Sequence, residues 1–465
     1  MRCDRKTVYK NSAKVVIKSP QNRLQKLRKT INNTISYSFT MQDNIPEEVG
    51  NRYRQRVIDK RISDLLGMFG GLYIAGPKWC GKSWTGMHHS NSVLFVGDKD
   101  AAALAEVDPK LALAGERPRL IDEWQDVPKL WDVARRTIDL SSEKGMFIFT
   151  GSVTPPKKAT LHTGTGRFAR IRMRPMSLFE SGDSSGAVSL SDLFSGKKIT
   201  NTRSQMDYRE AVRLMCRGGW PAALGKDGNA AMEIPVMYMA SVTNSDFSEV
   251  DGRKRSMTKM KLLLRSIARN SAGLPTARTM IGDITEEGMP PSESALRNYM
   301  EVIKKVFLIE EQEAWMPSLR SKTRLRTSPK IHFADPSLAA AVLKASPEVL
   351  IRNVRTAGQF FESLCYRDMS IYASALGGNV YHYRDESGLE IDEIIELDDG
   401  RWGAAEVKLG TSEIDEAAKN LLSLRDAVSK DMPEPSFLAV LSATSGMAYV
   451  RDDGVCVIPM DLLGP

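Results

Sequence analysis

Cysteine is scarce in this 465-residue chain, and the few present do not pair in sequence. Cys3, Cys80, Cys216, Cys365 and Cys456 stand far apart, with no C-x-x-C spacing. That pattern argues against a structural zinc ribbon and a disulfide framework, and it fits a reducing cytoplasm. Long apolar runs are missing too. None reaches the roughly 18–20 residues that a membrane-spanning helix needs, and no apolar signal core stands at the N-terminus. No membrane partner is expected. Histidine is sparse, five in all. The adjacent pair His88-His89 falls on a predicted helix. Neighbours in sequence do not share a helix face, which speaks against a metal site there.

Acidic residues are nearly absent from positions 1–40, which hold ten Lys or Arg against Asp4 alone. The net charge of +8 belongs to this stretch, and the rest of the chain is near −1. Residues 1–45 therefore read as a basic, disordered tail. Such a tail could grip nucleic-acid phosphates. The preferred alternative is a translation start at Met41, because every motif below lies after it. A transit peptide agrees with the composition alone. Hydrophobic residues at 42% and charged residues at 26% are ordinary for a globular protein. The length predicts two to four domains.

What is abundant is phosphate-binding pattern. Gly76-Pro77-Lys78-Trp79-Cys80-Gly81-Lys82-Ser83 matches G-x-x-x-x-G-K-[ST] at every required position. The apolar run Gly71–Ala75 before it has strand length, and a helix can open after it. Gly76 and Gly81 let the backbone fold back so that successive N–H groups face phosphates. The helix start adds its own unpaired N–H groups. Lys82 would reach the β- and γ-phosphates of ATP, and the Ser83 hydroxyl would bind Mg²⁺. The bulky Trp79 and Cys80 are expected to point outward.

Two further strands end in polar residues. Arg119-Leu120-Ile121-Asp122-Glu123-Trp124 is an apolar strand closing on adjacent acids. Asp122 would hold Mg²⁺ and Glu123 would act as general base on the attacking water. Met146–Ser152 is another buried-strand pattern. Thr150 or Ser152 would sense the γ-phosphate or orient the water, unless they merely begin a turn. Arg167 in Gly164-Thr165-Gly166-Arg167 would serve either as a finger on a neighbouring subunit's nucleotide, implying a homo-oligomer, or as an ordinary surface charge.

These motifs, with Arg174-Pro175-Met176-Ser177-Leu178-Phe179-Glu180, Gly218-Gly219-Trp220-Pro221 and Pro329–Asp335, resemble a bacterial and archaeal family of predicted AAA+ ATPases with an uncharacterised C-terminal domain. The resemblance continues through Phe361-Glu362, Tyr383-Arg384-Asp385, Glu390-Ile391-Asp392 and Glu406-Val407-Lys408. It implies an α/β P-loop NTPase parallel sheet over residues 46–200, with ATP and Mg²⁺ as cofactors.

The last third carries a second acidic set. Leu389–Ile395 alternates like a strand, and Trp402–Lys408 reads as its hairpin partner. A period of two puts Glu406 and Lys408 on one face, with Asp392 on the neighbouring strand. This layout resembles the PD-(D/E)xK nuclease core, in which two carboxylates hold Mg²⁺ beside a lysine. Glu362, on the helical pattern Gly358–Tyr372, would add a third acid. The competing reading is a salt-bridged strand pair. The expected C-terminal domain, residues 346–465, is thus α/β and nuclease-like. Between the two domains, residues 201–345 read as helical and winged-helix-like. One helix is predicted from Pro291 to about Gln312, capped by Ser292, with Leu296, Met300, Ile303 and Phe307 on one face. The basic loop Leu319–Arg326 after it would form a wing against nucleic acid, or be simply solvated.

Overall fold

Five short segments become the parallel strands β1 (Gly71–Ala75), β2 (Ser92–Phe95), β3 (Arg119–Asp122), β4 (Phe147–Gly151) and β5 (Phe168–Arg172). They pair in the order β2-β3-β4-β1-β5. The computed structural model describes residues 45–465 apart from 155–162, 227, 244–246, 248–254, 288–290, 318–327 and 431. The tail read at 1–45 lies, but for its last residue, outside the described residues.

The central strands β1, β3 and β4 are mostly apolar because both faces of the sheet are covered there, whereas the edge strand β5 carries Arg170 and Arg172. On one face Leu72, Ile74, Leu120 and Ile148 pack with Ile62 and Leu65 of the helix Asp59–Met68. On the other, Tyr73, Ile121, Phe147 and Phe149 pack with Trp124, Leu130 and Trp131. Trp131 stacks on Phe168 at 4.1 Å between ring centroids. Parallel pairing brings the carboxyl ends of β1, β3 and β4 to one edge, where Ala75 stands opposite Gly151. Polar groups therefore collect there.

The middle section is helical, as expected: Tyr208–Arg217, Gly228–Ser241, Met257–Arg269, Ala277–Glu287 and Glu293–Lys305. Ser292 caps the last of these, accepting a hydrogen bond from the Ala295 N–H. That helix ends at Lys305, not near Gln312. Phe307 takes a left-handed φ of 57°, and Ile309–Gln312 pairs antiparallel with Lys330–Phe333. The basic loop read as a wing falls between these two strands and lies outside the described residues.

The second sheet has seven strands. Two short strands come first in the chain, β6 (Val188–Ser189) and β7 (Thr202–Arg203). The antiparallel pair just described is β8 (Ile309–Gln312) and β9 (Lys330–Phe333). Next come β10 (Gly378–Arg384), β11 (Glu390–Leu397), β12 (Trp402–Lys408), β13 (Leu438–Ser442), β14 (Met447–Val450), β15 (Cys456–Pro459) and β16 (Leu463–Gly464). The sheet order is β10-β11-β12-β13-β15-β14-β7, and β16 pairs with β6. The helix Ile414–Val428 makes the crossover from β12 to its parallel neighbour β13. The long helix Val354–Ala375 packs against β10, β11 and β12. One apolar core runs from Leu178 through Leu263 and Phe360 to Leu463. It crosses the sequence boundaries at 200 and 345, tying the middle section to the C-terminal sheet.

Candidate functional site

The chain leaves β1 at Gly76, whose N–H donates to the Gly151 carbonyl at 3.3 Å. A Cβ on Gly76 would stand 2.2 Å from the Met173 carbonyl oxygen, so only glycine fits this approach. Gly81 ends the turn with a left-handed φ of 104° and opens the helix Lys82–His88. Trp79 points outward, half exposed, with its edge against Tyr238. Cys80 does the opposite of the sequence expectation. Its thiol is fully buried, and packing raises its pKa because a thiolate would be desolvated.

The Lys82 ammonium is buried behind the turn. It donates to the Pro77 carbonyl at 3.0 Å and lies 3.9 Å from Glu123 Oε1. Asp122 ends β3 and accepts hydrogen bonds from Ser83 and from the Thr150 hydroxyl. Burial raises the Asp122 pKa against those two bonds. Glu123 bends the chain out of the strand with φ 53°. Its N–H donates to Thr150 Oγ1 at 3.1 Å. Glu123 Oε2 accepts from the Ser152 N–H at 3.1 Å, the Ser152 hydroxyl at 2.8 Å and Gln125 Nε2 at 2.5 Å. Burial alone would raise its pKa, but Lys82, Gln125 and Ser152 together hold it below the ordinary glutamate value. Glu123 is therefore a restrained, ionised carboxylate. Thr150 and Ser152 both hydrogen-bond to the acids.

Lys82, Ser83, Glu123, Gln125 and Ser152 face a cavity of about 1240 Å³, with Asp122 and Thr150 hydrogen-bonded behind them. Its other walls include Tyr53, Arg54, Trp84 and Pro221. Arg167 is elsewhere. Its carbonyl accepts from Gly71 N at the amino end of β1, and its guanidinium pairs with Asp139 at 2.6 Å. Within one chain it stands at the opposite end of the sheet from Lys82.

The sequence reading missed Arg56. This buried guanidinium donates to the Cys80 carbonyl at 2.9 Å, the Arg174 carbonyl at 2.8 Å and Glu180 Oε1 at 2.9 Å. It braces the phosphate loop from behind. Glu180 also closes a capping box with Ser177. Glu180 lay within a quoted motif, whereas Arg56 had no local signal. Breaking a buried ion pair from one side leaves an uncompensated charge, at a cost of about 3–5 kcal/mol. Arg56→Ala is therefore expected to lower the unfolding free energy by about that amount in urea titrations. A loss below about 1 kcal/mol would show that the pair is not a structural brace.

A line of contacts leaves the loop through Trp79. Tyr238 meets Trp79 edge-on and stacks on Trp220 at 4.6 Å. Trp220 Nε1 donates to Ser337 Oγ at 2.9 Å, and the Ser337 N–H donates to Asp335 Oδ1 at 2.9 Å. Asp335 Oδ2 accepts from Arg367 at 2.7 Å. Arg367 belongs to the helix Val354–Ala375, which also carries Glu362.

The second acidic set is cross-linked by lysines. Lys330, from β9, lies 2.6 Å from Glu362, 3.1 Å from Asp392 and 3.4 Å from Glu390. Lys408 lies 2.8 Å from Glu406 and 3.9 Å from Asp392. Among the described residues, Glu362, Asp392 and Glu406 do not bring three ligand atoms within 4.8 Å of one another. Acid and ammonium alternate instead, which is the salt-bridged arrangement. Burial opposes ionisation of Asp392, yet Lys330 and Lys408 hold its pKa at about 2. Burial first, then Asp392, lifts Glu406 to about 8. A carboxyl raised in the folded state favours folding below its ordinary value, and that advantage is lost as pH rises through the folded value. The Glu406 contribution to stability is thus expected to fall between pH 4.5 and about 8, by at most about 1.4 kcal/mol per pH unit, beside the contributions of Glu362 and Asp368, whose burial also raises them. Glu406→Gln should reduce the slope in unfolding experiments; an unaltered slope would show that Glu406 does not contribute to it.

Comparison with known proteins agrees with this geometry at the domain level. Residues 70–181 match an AAA domain model, residues 208–349 a domain of unknown function (DUF8612), and residues 357–463 a domain of unknown function (DUF4143). Uncharacterized proteins of Mycobacterium tuberculosis and Mycobacterium bovis are each 22% identical over 360 residues, covering 75% of this chain and 73% of theirs. Among solved structures, the Walker-type ATPase of Pyrococcus abyssi is similar at 15% identity and a TM-score of 0.40. That similarity covers 65% of this chain and 99% of that one. Residues 70–181 are accordingly an AAA-type P-loop ATPase domain that binds ATP, and a DUF4143 region stands at the C-terminal side of the same chain.

Proposed function

We propose that this protein hydrolyses ATP with Mg²⁺ and uses the reaction to shift the C-terminal region through the helix Val354–Ala375. The observation that carries the reading is the convergence of Lys82, Ser83, Glu123 and Ser152 on one cavity edge, with Asp122 hydrogen-bonded to Ser83 behind them. Among the described residues the buried Lys82 ammonium has the Pro77 carbonyl at 3.0 Å in hydrogen-bonding reach and the Glu123 carboxylate at the longer distance of 3.9 Å. Burying a cation is costly unless anions join it, and a triphosphate would supply a closer and more highly charged one. Ser83 and Asp122 offer hard oxygen donors of the kind Mg²⁺ takes, and they would hold it. When bound, the ion supplies charge neutralisation on the phosphate oxygens. Glu123 receives the proton of the attacking water as its oxygen bonds to the γ-phosphorus. The bond from that phosphorus to the β–γ bridging oxygen breaks, and ADP leaves. Ser152 and Gln125 fix the carboxylate that takes the proton. Arg167 enters this scheme only from a neighbouring copy.

Phosphate release tests the reading. It should require Mg²⁺, and DNA or RNA should raise it if nucleic acid is the partner. Hydrogen exchange tests the coupling. Val354–Ala375 should change its protection when ATP is bound, through the Trp79–Tyr238–Trp220 contacts. Unchanged protection there would remove the coupling from the proposal. The lysine-bridged carboxylates favour a structural role for the second cluster over a nuclease centre.

A further inference from the structure

Three metal-type donors meet where the segment before the first sheet touches the helix that follows the phosphate loop. We propose that Asp59, His88 and His89 form a binding site for a borderline divalent transition cation of the zinc class. One ligand atom from each lies within 4.8 Å of the other two. The sequence argued against such a site because neighbours on a helix diverge. The helix, however, stops at His88, and His89 is its C-cap with φ −99° and ψ 10°. The His89 N–H still donates to the Thr85 carbonyl at 3.3 Å, but its φ and ψ depart from helical values, and the two imidazole rings stand 4.9 Å apart at 83°.

The cluster is already arranged as a ligand set. Asp59 Oδ2 accepts from the Arg56 N–H at 2.7 Å, and Oδ1 accepts from the Tyr53 hydroxyl at 2.7 Å. Such outer hydrogen bonds are what orient a ligating carboxylate. Tyr53 also stacks on His88, with ring centroids 4.1 Å apart and planes 14° from parallel, which fixes that imidazole. His89 Nε2 lies 3.1 Å from Asp59 Oδ1. Two ligands on a tetrahedral ion with bonds of ~2.0–2.1 Å sit about 3.3 Å apart, so this pair needs little movement to share one. Two nitrogens and one oxygen suit Zn²⁺ or Co²⁺, whereas Mg²⁺ prefers an all-oxygen octahedron. The site is therefore chemically distinct from Ser83 and Asp122. Three protein ligands leave a fourth position for water. The cation would fasten the strand of chain bearing Arg56, which braces Cys80, to the far end of the helix that Lys82 opens.

The test uses the full chain, freed of metal with chelator and kept in excess Mg²⁺. Zn²⁺ is titrated by calorimetry and Co²⁺ by visible absorption. One ion per chain is expected, with weak d–d bands and a Kd in the micromolar range or below. His88→Ala and His89→Ala should each weaken binding tenfold or more, in line with the losses seen when metal shells are altered. Circular dichroism checks that each variant is folded, and His89→Gln replaces His89→Ala if the latter is not. Absence of saturable binding, a loss under tenfold in either histidine variant, or an intense thiolate-to-cobalt band in place of the d–d bands would each overturn the proposal.

Discussion

Replacing Lys82 with alanine is expected to weaken ATP binding by about 10- to 150-fold and to reduce turnover below detection. Charge-assisted hydrogen bonds of this kind contribute about 1.5–3 kcal/mol to binding. The loss in turnover should be greater, because Lys82 would also stabilise charge gathering on the γ-phosphate in the transition state. Its ammonium is buried against the loop, 3.0 Å from the Pro77 carbonyl and 3.9 Å from Glu123. Its chain neighbours lie in a turn whose φ values at Trp79 and Gly81 are positive, so the backbone is bent with or without the side chain. The variant should therefore fold normally. Calorimetric ATP titration and phosphate release measure the two losses separately. Wild-type turnover in Lys82→Ala would place hydrolysis at another site.

Glu123→Gln should separate binding from chemistry. The amide keeps the shape and can still accept from Ser152, but it is a far weaker base. A general base typically contributes 10²- to 10⁴-fold, so turnover should fall by roughly that factor. ATP affinity should stay level or rise, because one negative charge near the phosphates is gone. The low pKa of Glu123 adds a pH signature. The group is ionised throughout the neutral range, so the wild-type rate should not fall as pH drops from 8 to 6 through loss of this base. Full activity in Glu123→Gln would take Glu123 out of the mechanism and leave Ser152 and Gln125 as mere packing.

The polar edge at the carboxyl ends of β1, β3 and β4 was readable in the sequence because the phosphate-loop pattern demands particular residues at fixed spacing. Gly76, Gly81, Lys82 and Ser83 follow from backbone bending and phosphate contact, and the apolar strands before Asp122 and Gly151 follow from two-sided burial. Arg56 was not readable. Its partner Glu180 lies 124 positions away, and contacts at that separation leave no periodic trace. Lys330 escaped for the same reason, yet its contacts with Glu362 and Asp392 decide how the second acidic cluster is neutralised. Apolar spacing at Leu296, Met300, Ile303 and Phe307 extended a helix too far, because the left-handed turn at Phe307 carries no glycine to announce it. Cys80 was judged by size when its position against Met173 set its direction. The pairing of β7 with β14 joins segments that local patterns assign to different regions.

Calorimetric titration of the purified chain with ATP in the presence of Mg²⁺ tests the central claim most directly. One saturable site per chain, lost or strongly weakened in Lys82→Ala, is the predicted result. No detectable heat of binding with ATP, GTP or any other purine triphosphate would contradict the account.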